Sequence, residues 1–237
     1  MQGNTIDPDM DHIVNFSAYR RRAWVSDKAK SLQSGSKVLD AGAGECQYRD
    51  LFAHCIYKAQ DFAQYSGTET GPLKEAWRYG QLDYVCDLTS IPVPDAEFDA
   101  VLCTEVLEHV AHPGDVIREL SRVMKPGGRL FLTAPLASGL HQRPHHYYGG
   151  YTPHFYQAFL PAHHFEIREL QPLGGLMLHV AQELHRAGRA LDDAKVLSPW
   201  MRLILMYWLP RYLAIRERKL EIPEFTVGYM VEAVKRS

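Results

Sequence analysis

A short apolar strand that runs directly into a glycine turn constrains this chain more than any other feature. The sequence from residue 38 to residue 45 reads VLDAGAGE, with Gly42 and Gly44 in the turn. Glycine adopts backbone angles that other residues avoid, and its missing side chain lets the main chain approach a ligand closely. A strand followed by such a turn is typical of α/β folds that bind a nucleotide cofactor.

The residues around the turn restrict which cofactor it can hold. A dinucleotide-binding turn carries a third glycine at the place where this chain has Gln47. Asp40 and Glu45 add two carboxylates, which would repel a phosphate and favour a cation such as a sulfonium or an amino group. Asp61 follows the turn by about twenty residues, where such folds place an acid on the ribose hydroxyls. An NAD-dependent oxidoreductase is therefore disfavoured.

Length and composition favour a single globular domain. With 237 residues and 46% hydrophobic content, the chain can bury a full core. The formal net charge of -2 gives no general field that attracts nucleic acid, so a nucleic-acid partner is not favoured. The four cysteines have neither CxxC spacing nor the density of a disulfide scaffold, which indicates a reducing cytoplasm.

The terminal and apolar segments agree with a cytoplasmic protein. Residues 1–10 are polar and lack the apolar core of a secretory signal. The sequence also contains no run of about eighteen apolar residues, so we expect no transmembrane segment.

Apolar strand candidates alternate with helical stretches through the first two-thirds of the chain, and two further strands follow. The candidates are residues 37–41, 55–60, 84–87, 98–103, 129–134, 165–170 and 226–235. Alternation of this kind predicts an α/β fold with a parallel sheet and crossover helices, a Rossmann-like three-layer sandwich. Between the fourth and fifth candidates, Val116, Leu120 and Val123 are spaced for one helix face, and the run from Lys125 to Gly128 ends that helix.

The chain divides into segments of different character. We expect an N-terminal helical segment (1–35), a cofactor-binding core (36–136), a loop over the acceptor site (137–160), a helical insertion (174–222) and the last strand (223–237). The loop is rich in His and Tyr. The sequence contains no internal repeat.

Several motifs in sequence order resemble the class I S-adenosylmethionine-dependent methyltransferases, in particular the group with the type 11 methyltransferase domain. The motifs are VLDAGAGE at 38–45, Asp61, VCDL at 85–88, FDAVLCTEVLEHV at 98–110 and RVMKPGGRLFLTAP at 122–135. The resemblance covers most of residues 36–172. It implies a seven-stranded sheet with six parallel strands and an antiparallel last strand, and S-adenosylmethionine as the cofactor.

The resemblance also implies roles for the residues around the cofactor. Those residues are Asp40 as the acid of the first motif, Gly42 and Gly44 under the methionine and ribose, Asp61 on the ribose hydroxyls, Asp87 and the Leu88 amide on the adenine, and Thr104 and Glu105 beside the methyl group. Uncharged ribose and adenine need such fixed acceptors and donors. Each aspartate has a structural alternative, since Asp caps helices and begins turns.

Methyl transfer needs an aligned acceptor and often a base, and we expect His109 to be that base or a positioning group. His145 and Glu105 are the other catalytic candidates. Glu105, Glu108 and His109 lie at i, i+3 and i+4, which predicts one face of a helix after the fourth strand. Similarity to metal-dependent O-methyltransferases suggests a divalent ion on these three residues plus His145 or His146, but ligand chemistry does not favour a metal. The alternative is that Glu108 and His109 fix loops by hydrogen bonds.

The segment 141–154 resembles the loop that lines the acceptor site in this group. Its Tyr and His side chains offer flat faces together with hydrogen bonds, which suits a hydroxylated acceptor such as a sugar. The function expected is therefore O-methylation of a small-molecule or glycan hydroxyl, with a lipid-linked or quinone-type acceptor as an alternative. A loop packed by its own aromatic side chains is the structural alternative. A cofactor-binding protein without turnover is the alternative to an enzyme.

The most apolar stretch of the chain lies within residues 199–216. Three interpretations stay open for it: burial against the core or a homodimer partner, docking on a membrane interface, and a lid over an apolar acceptor.

Overall fold

The computed structural model describes residues 8–67, 77–217, 219–220 and 222–236. The first seven residues of the predicted N-terminal segment lie outside these ranges. Across the ranges that are described, no helix combines the length and the apolar character needed to cross a bilayer.

A seven-stranded sheet organises the fold. Its strands are β1 (Lys37–Ala41), β2 (Ile56–Asp61), β3 (Tyr84–Val85), β4 (Phe98–Thr104), β5 (Met124–Pro135), β6 (Phe165–Pro172) and β7 (Gly228–Lys235). The strand order is β3-β2-β1-β4-β5-β7-β6. The first five strands pair in parallel, and β7 runs antiparallel to β5. The predicted Rossmann-like architecture with an antiparallel last strand is confirmed.

Helices connect the strands and form the rest of the fold. The α-helices are α1 (Pro8–Val14), α2 (Phe16–Lys30), α3 (Pro113–Val123), α4 (Pro153–Ala162), α5 (Leu176–Asp193), α6 (Pro199–Leu203) and α7 (Leu209–Glu217). A π-helical turn, Ile204–Trp208, joins α6 to α7. Short 3-10 turns cover Arg49–Phe52, Leu107–His109 and Pro223–Phe225.

The core lies on both faces of the central strands. Burial is nearly continuous along β1, β4 and the second half of β5, as expected for parallel strands covered on both sides. The helix predicted from the spacing of Val116, Leu120 and Val123 is α3, which begins at Pro113 and buries these three side chains completely. Its apolar spacing therefore predicted the buried face correctly.

Two compact units make up the chain. One contains Arg22–Gln171 with Gly228–Ser237, and therefore holds the sheet. The other, called here the helical unit, contains Met1–Arg21 with Pro172–Val227. The N-terminal helix α1 thus groups with the predicted insertion, to which it is packed through α5 and α7.

Three local predictions differ from the structure. The helix expected directly after β4 is wrong: Glu105 has a positive φ of 54°, and only a three-residue 3-10 turn, Leu107–His109, follows it. Strand β5 begins at Met124 because this residue pairs with Phe98 before the register shifts. The last part of the predicted loop is helical, because α4 begins at Pro153.

Candidate functional site

The carboxyl ends of β1, β2 and β4 meet at one edge of the sheet and bring the predicted site together. Asp40 in β1 lies beside Ala59 of β2 and Leu102 of β4. Asp61 ends β2, and Thr104 ends β4. Open parallel sheets bind ligands at this edge, so the sequence motifs and the topology agree on the location.

The amide groups of the glycine turn are directed into the protein. Gly42 N donates to the backbone carbonyl oxygen of Gln60 at 2.9 Å and to the side-chain Oε1 of Gln60 at 3.1 Å. Ala43 N donates to the same carbonyl oxygen at 2.8 Å, and Gly44 N donates to Asp61 Oδ2 at 2.9 Å. A phosphate-binding turn presents these amides to its ligand instead. The turn is therefore built for a ligand that brings no phosphate to it.

The two glycines are also required by the packing of the protein itself. Gly42 has a φ of 77°, and a Cβ there would lie 2.4 Å from Val106 Cγ2. Gly44 has a φ of 50°, and a Cβ would lie 2.9 Å from Trp77 Cζ2. Val106 and Trp77 thus occupy the space that the missing side chains leave.

Asp40 is buried at the end of its strand. It is 2% exposed, and its Oδ2 accepts a hydrogen bond from the Tyr57 hydroxyl. Burial raises the pKa of Asp40 to about 7; the Tyr57 hydrogen bond opposes this shift, and the nearby Asp61 carboxylate adds to it. Asp40 therefore gains or loses its charge near neutral pH.

Asp61 joins the glycine turn to the segment that follows β2. Its Oδ2 accepts from Gly44 N, and its Oδ1 accepts from Ala63 N at 2.9 Å. A carboxylate has about four acceptor positions, so both oxygens can accept further hydrogen bonds from ribose hydroxyls. At 7% exposure, Asp61 holds the turn and still reaches the edge of the sheet.

Asp87 and Leu88 follow β3 at the same edge of the sheet. Asp87 is exposed, and its Oδ1 accepts from the amide of Thr89 at 2.8 Å and from its hydroxyl at 2.7 Å. This is the turn arrangement typical of Asp, so the geometry gives Asp87 a structural role, and its contact with the adenine stays a prediction. The Leu88 side chain is buried in the core.

Glu105 turns the chain sharply after β4. Its amide donates to the Thr133 carbonyl at 2.9 Å, and its Oε1 accepts from the Thr133 hydroxyl at 2.8 Å. A positive φ at a residue other than glycine costs energy and marks a constrained position. Glu105 is therefore tied to β5 by both its backbone and its side chain.

His109 follows this bend and is held in one protonation state. Its Nδ1 lies 2.7 Å from the carbonyl oxygen of His145, which can only accept, so Nδ1 carries the proton. Nε2 then has the lone pair and lies 3.7 Å from Glu108 Oε1, beyond hydrogen-bond distance. Burial lowers the pKa of His109 to about 4, although the hydrogen bond to His145 opposes the shift. The imidazole is neutral at physiological pH.

Three histidines form a cluster at this point. The ring centroid of His109 lies 4.7 Å from that of His141 and 5.6 Å from that of His146, and the latter two lie 4.6 Å apart. His145 turns its ring to Phe62, with centroids 4.9 Å apart. The hydrogen bond between His109 and His145 is therefore made by the backbone carbonyl oxygen of His145.

One group of side chains has the geometry of a metal site. Single ligand atoms of Glu108, His109 and His141 lie within 4.8 Å of one another. The metal alternative drawn from the sequence named Glu105 in addition, with His145 or His146 as the fourth ligand. The structure brings His141 to this place instead, and the signal that pointed to it was the density of histidines after residue 140.

Hydrogen bonds fasten the predicted acceptor loop to the Leu107–His109 turn. The amides of Tyr147 and Tyr148 donate to the Glu108 carbonyl at 2.8 and 3.3 Å. The Tyr151 hydroxyl donates to the Leu107 carbonyl at 2.6 Å, and burial raises the pKa of that hydroxyl well above its usual value. The backbone that carries His109 is therefore positioned by the loop.

Some residues of the site carried no sequence signal. Trp77 lies edge-on to Tyr65 and Tyr79, with ring centroids 5.6 and 5.8 Å apart. The Tyr57 hydroxyl donates to the buried Asp40 carboxylate. The Gln60 side chain accepts from the amide of Gly42 in the turn. For Gln60, the sequence signal that could have indicated a place in the site was its position directly before Asp61.

Comparison with known proteins identifies a domain within the chain. Residues 39–132 match the family described as "Methyltransferase domain". A probable S-adenosylmethionine-dependent methyltransferase of Mycobacterium tuberculosis is 29% identical over 136 residues, which is 57% of this chain and 48% of that protein. The chain thus spans about half the length of this relative. A ubiquinone biosynthesis O-methyltransferase of Acinetobacter baylyi is 27% identical over 232 residues, covering 91% of this chain and 83% of that one.

A solved structure agrees on the fold. A Galdieria sulphuraria protein assigned as a sarcosine dimethylglycine methyltransferase superposes with a TM-score of 0.60 at 15% identity. The superposition covers 94% of this chain and 88% of that chain. The predicted resemblance to the class I S-adenosylmethionine-dependent methyltransferases is therefore confirmed for the domain at residues 39–132.

Proposed function

We propose that this protein transfers a methyl group from S-adenosylmethionine to a hydroxyl oxygen of a small molecule or a sugar. The observation that carries the proposal is the glycine turn. The amides of Gly42, Ala43 and Gly44 are used by Gln60 and Asp61, while carboxylates surround the turn. This arrangement suits a cationic nucleoside without phosphate.

The residues present fit S-adenosylmethionine. Asp61 can accept from the ribose hydroxyls, and a charged Asp40 favours a nearby cation. Asp87 and the Leu88 amide are proposed for the adenine, and Thr104 borders the end of β4 where the acceptor is proposed to enter. When bound, the cofactor supplies an electrophilic methyl group on a sulfonium.

His109 is proposed as the group that accepts or orients the acceptor proton. Its Nε2 carries the lone pair because Nδ1 donates to His145. The low pKa of His109 keeps this nitrogen unprotonated at neutral pH, although it also makes the imidazole a weak base. The main contribution of His109 is therefore the alignment of a hydroxyl, with proton acceptance once the oxygen has become acidic in the reaction.

The acceptor is proposed from the loop and from one relative. The aromatic and histidine side chains of residues 141–154 offer flat faces and polar atoms beside His109. The relative that spans most of this chain is named as an O-methyltransferase of ubiquinone biosynthesis. Both support an oxygen acceptor, and a quinone-type or lipid-linked compound is the alternative to a sugar.

A divalent metal is not favoured for the reaction. Glu108, His109 and His141 offer one carboxylate and two imidazoles, a set that suits Zn²⁺ or Mn²⁺ better than Mg²⁺. The Nδ1 hydrogen bond of His109 leaves Nε2 available either to a metal or to the acceptor, and the proposal assigns it to the acceptor. Turnover that survives treatment with EDTA is the expected result.

Ligand stabilisation tests the cofactor half of the proposal. S-adenosylhomocysteine should raise the unfolding temperature, because a ligand that binds the folded state stabilises it by about 2.7 kcal/mol at one hundred times its Kd. NAD should leave the unfolding temperature unchanged. Stabilisation by NAD alone would overturn the methyltransferase assignment.

Methyl transfer from labelled cofactor to a panel of hydroxylated compounds tests the catalytic half. We expect His109→Asn to lower kcat by about 10²–10⁴-fold, since Asn keeps a donor toward His145 but has no basic nitrogen. His54→Ala, which changes a histidine whose ring contacts the Ala29 carbonyl, is the matched control and should keep wild-type turnover. Cofactor binding without turnover on any acceptor would favour a non-catalytic cofactor-binding protein.

A further inference from the structure

Five exposed apolar side chains form a ridge along one face of the helical unit. Helices α6 and α7 and the π-helical turn between them make one continuous helical stretch from Pro199 to Glu217. The ridge consists of Trp200 (77% exposed), Ile204 (43%), Trp208 (70%), Tyr212 (53%) and Ile215 (60%). Intervals of four, four, four and three residues keep these side chains on one side of the helix.

The opposite face of this helical stretch is fixed against its own unit. Met206 is buried, its carbonyl lies 3.1 Å from His185 Nδ1, and its Cγ would lie 2.7 Å from a Cβ placed at Gly188. Glu217 is buried and accepts a hydrogen bond from Met177 N at 3.1 Å. The helix cannot rotate to bury the ridge without losing these contacts, so the exposure of the ridge is a property of the fold.

The charge of the stretch is positive. Residues 199–216 contain Arg202, Arg211 and Arg216 and no acidic residue. The Arg216 guanidinium lies 4.9 Å from the ring centroid of Tyr212, so a cation borders the ridge itself. Arg202 is paired with Asp192, and the one carboxylate of the stretch, Glu217, is buried. A second copy docked on this face by two-fold symmetry would therefore bring Arg211 and Arg216 against the same arginines of the other copy, with no exposed carboxylate of the stretch to offset them. The charge pattern therefore disfavours self-association through the ridge.

A bilayer with anionic headgroups matches both features. Trp and Tyr side chains prefer the boundary between headgroups and acyl chains, and Lys and Arg beside them are attracted to anionic lipid. Ridge side chains as exposed as Trp200 and Trp208 can enter this boundary while the helix lies parallel to the surface.

An open groove adjoins the ridge within the same unit. It has a volume of about 710 Å³, and Phe16, Leu178 and Ile215 give it apolar walls. Arg20, Arg211 and the buried Glu217 also line it, so arginines outnumber carboxylates in the lining. The groove thus places apolar surface and guanidinium groups side by side, which is the chemistry that an acyl chain and its phosphate require.

We propose that the helical unit binds the surface of a bilayer containing anionic phospholipid, through the ridge Trp200–Ile215 and its flanking arginines. The ridge enters the headgroup boundary, and Arg216 meets lipid phosphates. This proposal does not depend on the methyl-transfer reaction, because it rests on residues of the helical unit alone.

Co-sedimentation of the chain of residues 1–237 with vesicles tests the proposal. We expect the wild-type chain to bind vesicles that contain phosphatidylglycerol and to bind pure phosphatidylcholine vesicles more weakly. The double variant Trp200→Ser/Trp208→Ser should lose at least about tenfold in binding, since two large apolar side chains no longer leave water. Arg216→Gln should lose about fivefold on the anionic vesicles, the effect of one cation near such a surface.

A matched control separates the ridge from general hydrophobic exposure. Phe225→Ser removes an aromatic side chain that is 58% exposed in the same unit but lies outside the helical stretch, and it should bind as the wild type does. Circular dichroism and the S-adenosylhomocysteine thermal shift establish that each variant is folded. Either of two results would overturn the proposal: wild-type chain that stays in the supernatant with both vesicles, or a lipid-free dimer that the double variant converts to a monomer.

Discussion

We expect the binding affinity for the proposed cofactor to depend on pH through a single buried carboxyl group, Asp40. Its pKa of about 7 results from burial at the end of β1, and the Tyr57 hydroxyl only partly compensates for the lost water. A cation bound near the glycine turn favours the charged form of Asp40 by Coulomb attraction. Binding of a cation and loss of the Asp40 proton are then linked, and each promotes the other.

Comparison of two cofactor forms checks this linkage at the residue scale. S-adenosylmethionine carries a sulfonium charge that S-adenosylhomocysteine lacks. We expect the preference for S-adenosylmethionine to increase between about pH 6 and pH 8, as Asp40 ionises, by up to about tenfold. Isothermal titration with both ligands at each pH gives the ratio of the two Kd values.

Asp40→Asn is the matched variant for this measurement. The amide keeps an acceptor for Tyr57 but has no charge to gain. The ratio of Kd values should then be independent of pH. A ratio that rises with pH as strongly in Asp40→Asn as in the wild type would show that another group is responsible.

At the scale of single residues, the sequence predicted which residues lie at strand ends better than it predicted which side chains meet. Spacing along the chain placed Asp40 and Asp61 at the ends of adjacent strands, because strand ends follow from local patterns. It could not show that Tyr57 would meet Asp40, or that Trp77 would cover Gly44, because such pairs depend on how strands and loops pack. His141 reached Glu108 for the same reason.

Among the elements, the short turn Leu107–His109 is where sequence periodicity failed. The i, i+3, i+4 spacing of Glu105, Glu108 and His109 is typical of a helix face. The Thr133 hydrogen bonds to Glu105 bend the chain instead, and the loop before α4 holds the turn that results. Three residues are too few for a periodic pattern to distinguish an α-helix from a tight turn.

The loop before α4 depends on one glycine. Gly150 has a φ of 150°, and a Cβ there would lie 2.3 Å from the carbonyl carbon and oxygen of Leu136. We expect Gly150→Ala to destabilise the protein by at least roughly 1–3 kcal/mol, because the backbone is strained and the clash is with main chain. It should also lower turnover, since Tyr147 and Tyr151 fasten the turn that carries His109.

Urea unfolding measures the stability change, and methyl transfer measures the second effect. Gly139→Ala is the matched control, because Gly139 lies in the same loop and a Cβ there meets nothing within 4 Å. This change should alter stability by less than about 0.5 kcal/mol. Equal effects of the two substitutions would contradict the importance assigned to Gly150.

On the scale of the whole molecule, the sequence predicted the sheet but carried no sign that α1 groups with α5 and α7. Local strand patterns and the late position of the last strand are visible in the sequence, and the observed seven-stranded sheet with an antiparallel β7 agrees with the resemblance. The grouping of α1 with α5 and α7 is a contact between segments more than 150 residues apart, as the bounds of α1 and α5 show. Neither periodicity nor composition encodes such a contact.

Two buried titratable groups act in opposite directions on the stability of the folded chain. His109 has an ordinary pKa of 6.5 and a pKa of about 4 when folded, so its contribution is present above pH 6.5 and is lost as the pH falls toward 4. Asp40 has an ordinary pKa of 3.8 and a pKa of about 7 when folded, so its contribution is present below pH 3.8 and is lost as the pH rises toward 7. Each effect is on the order of 3–4 kcal/mol.

Because these two effects oppose each other between about pH 4 and pH 6.5, they nearly cancel in the wild-type chain, and single variants should reveal them. Relative to the wild type, Asp40→Asn should gain stability as the pH rises through this window, because the cost of a buried charge has been removed. His109→Asn should change in the reverse direction and lose stability relative to the wild type as the pH rises.

Urea unfolding at about pH 5 and about pH 7 gives the free energies of unfolding, and their differences from the wild type isolate each group from the other titrating residues. Differences that do not vary with pH would mean that burial perturbs neither group, and the protonation states assigned to the site would then be wrong.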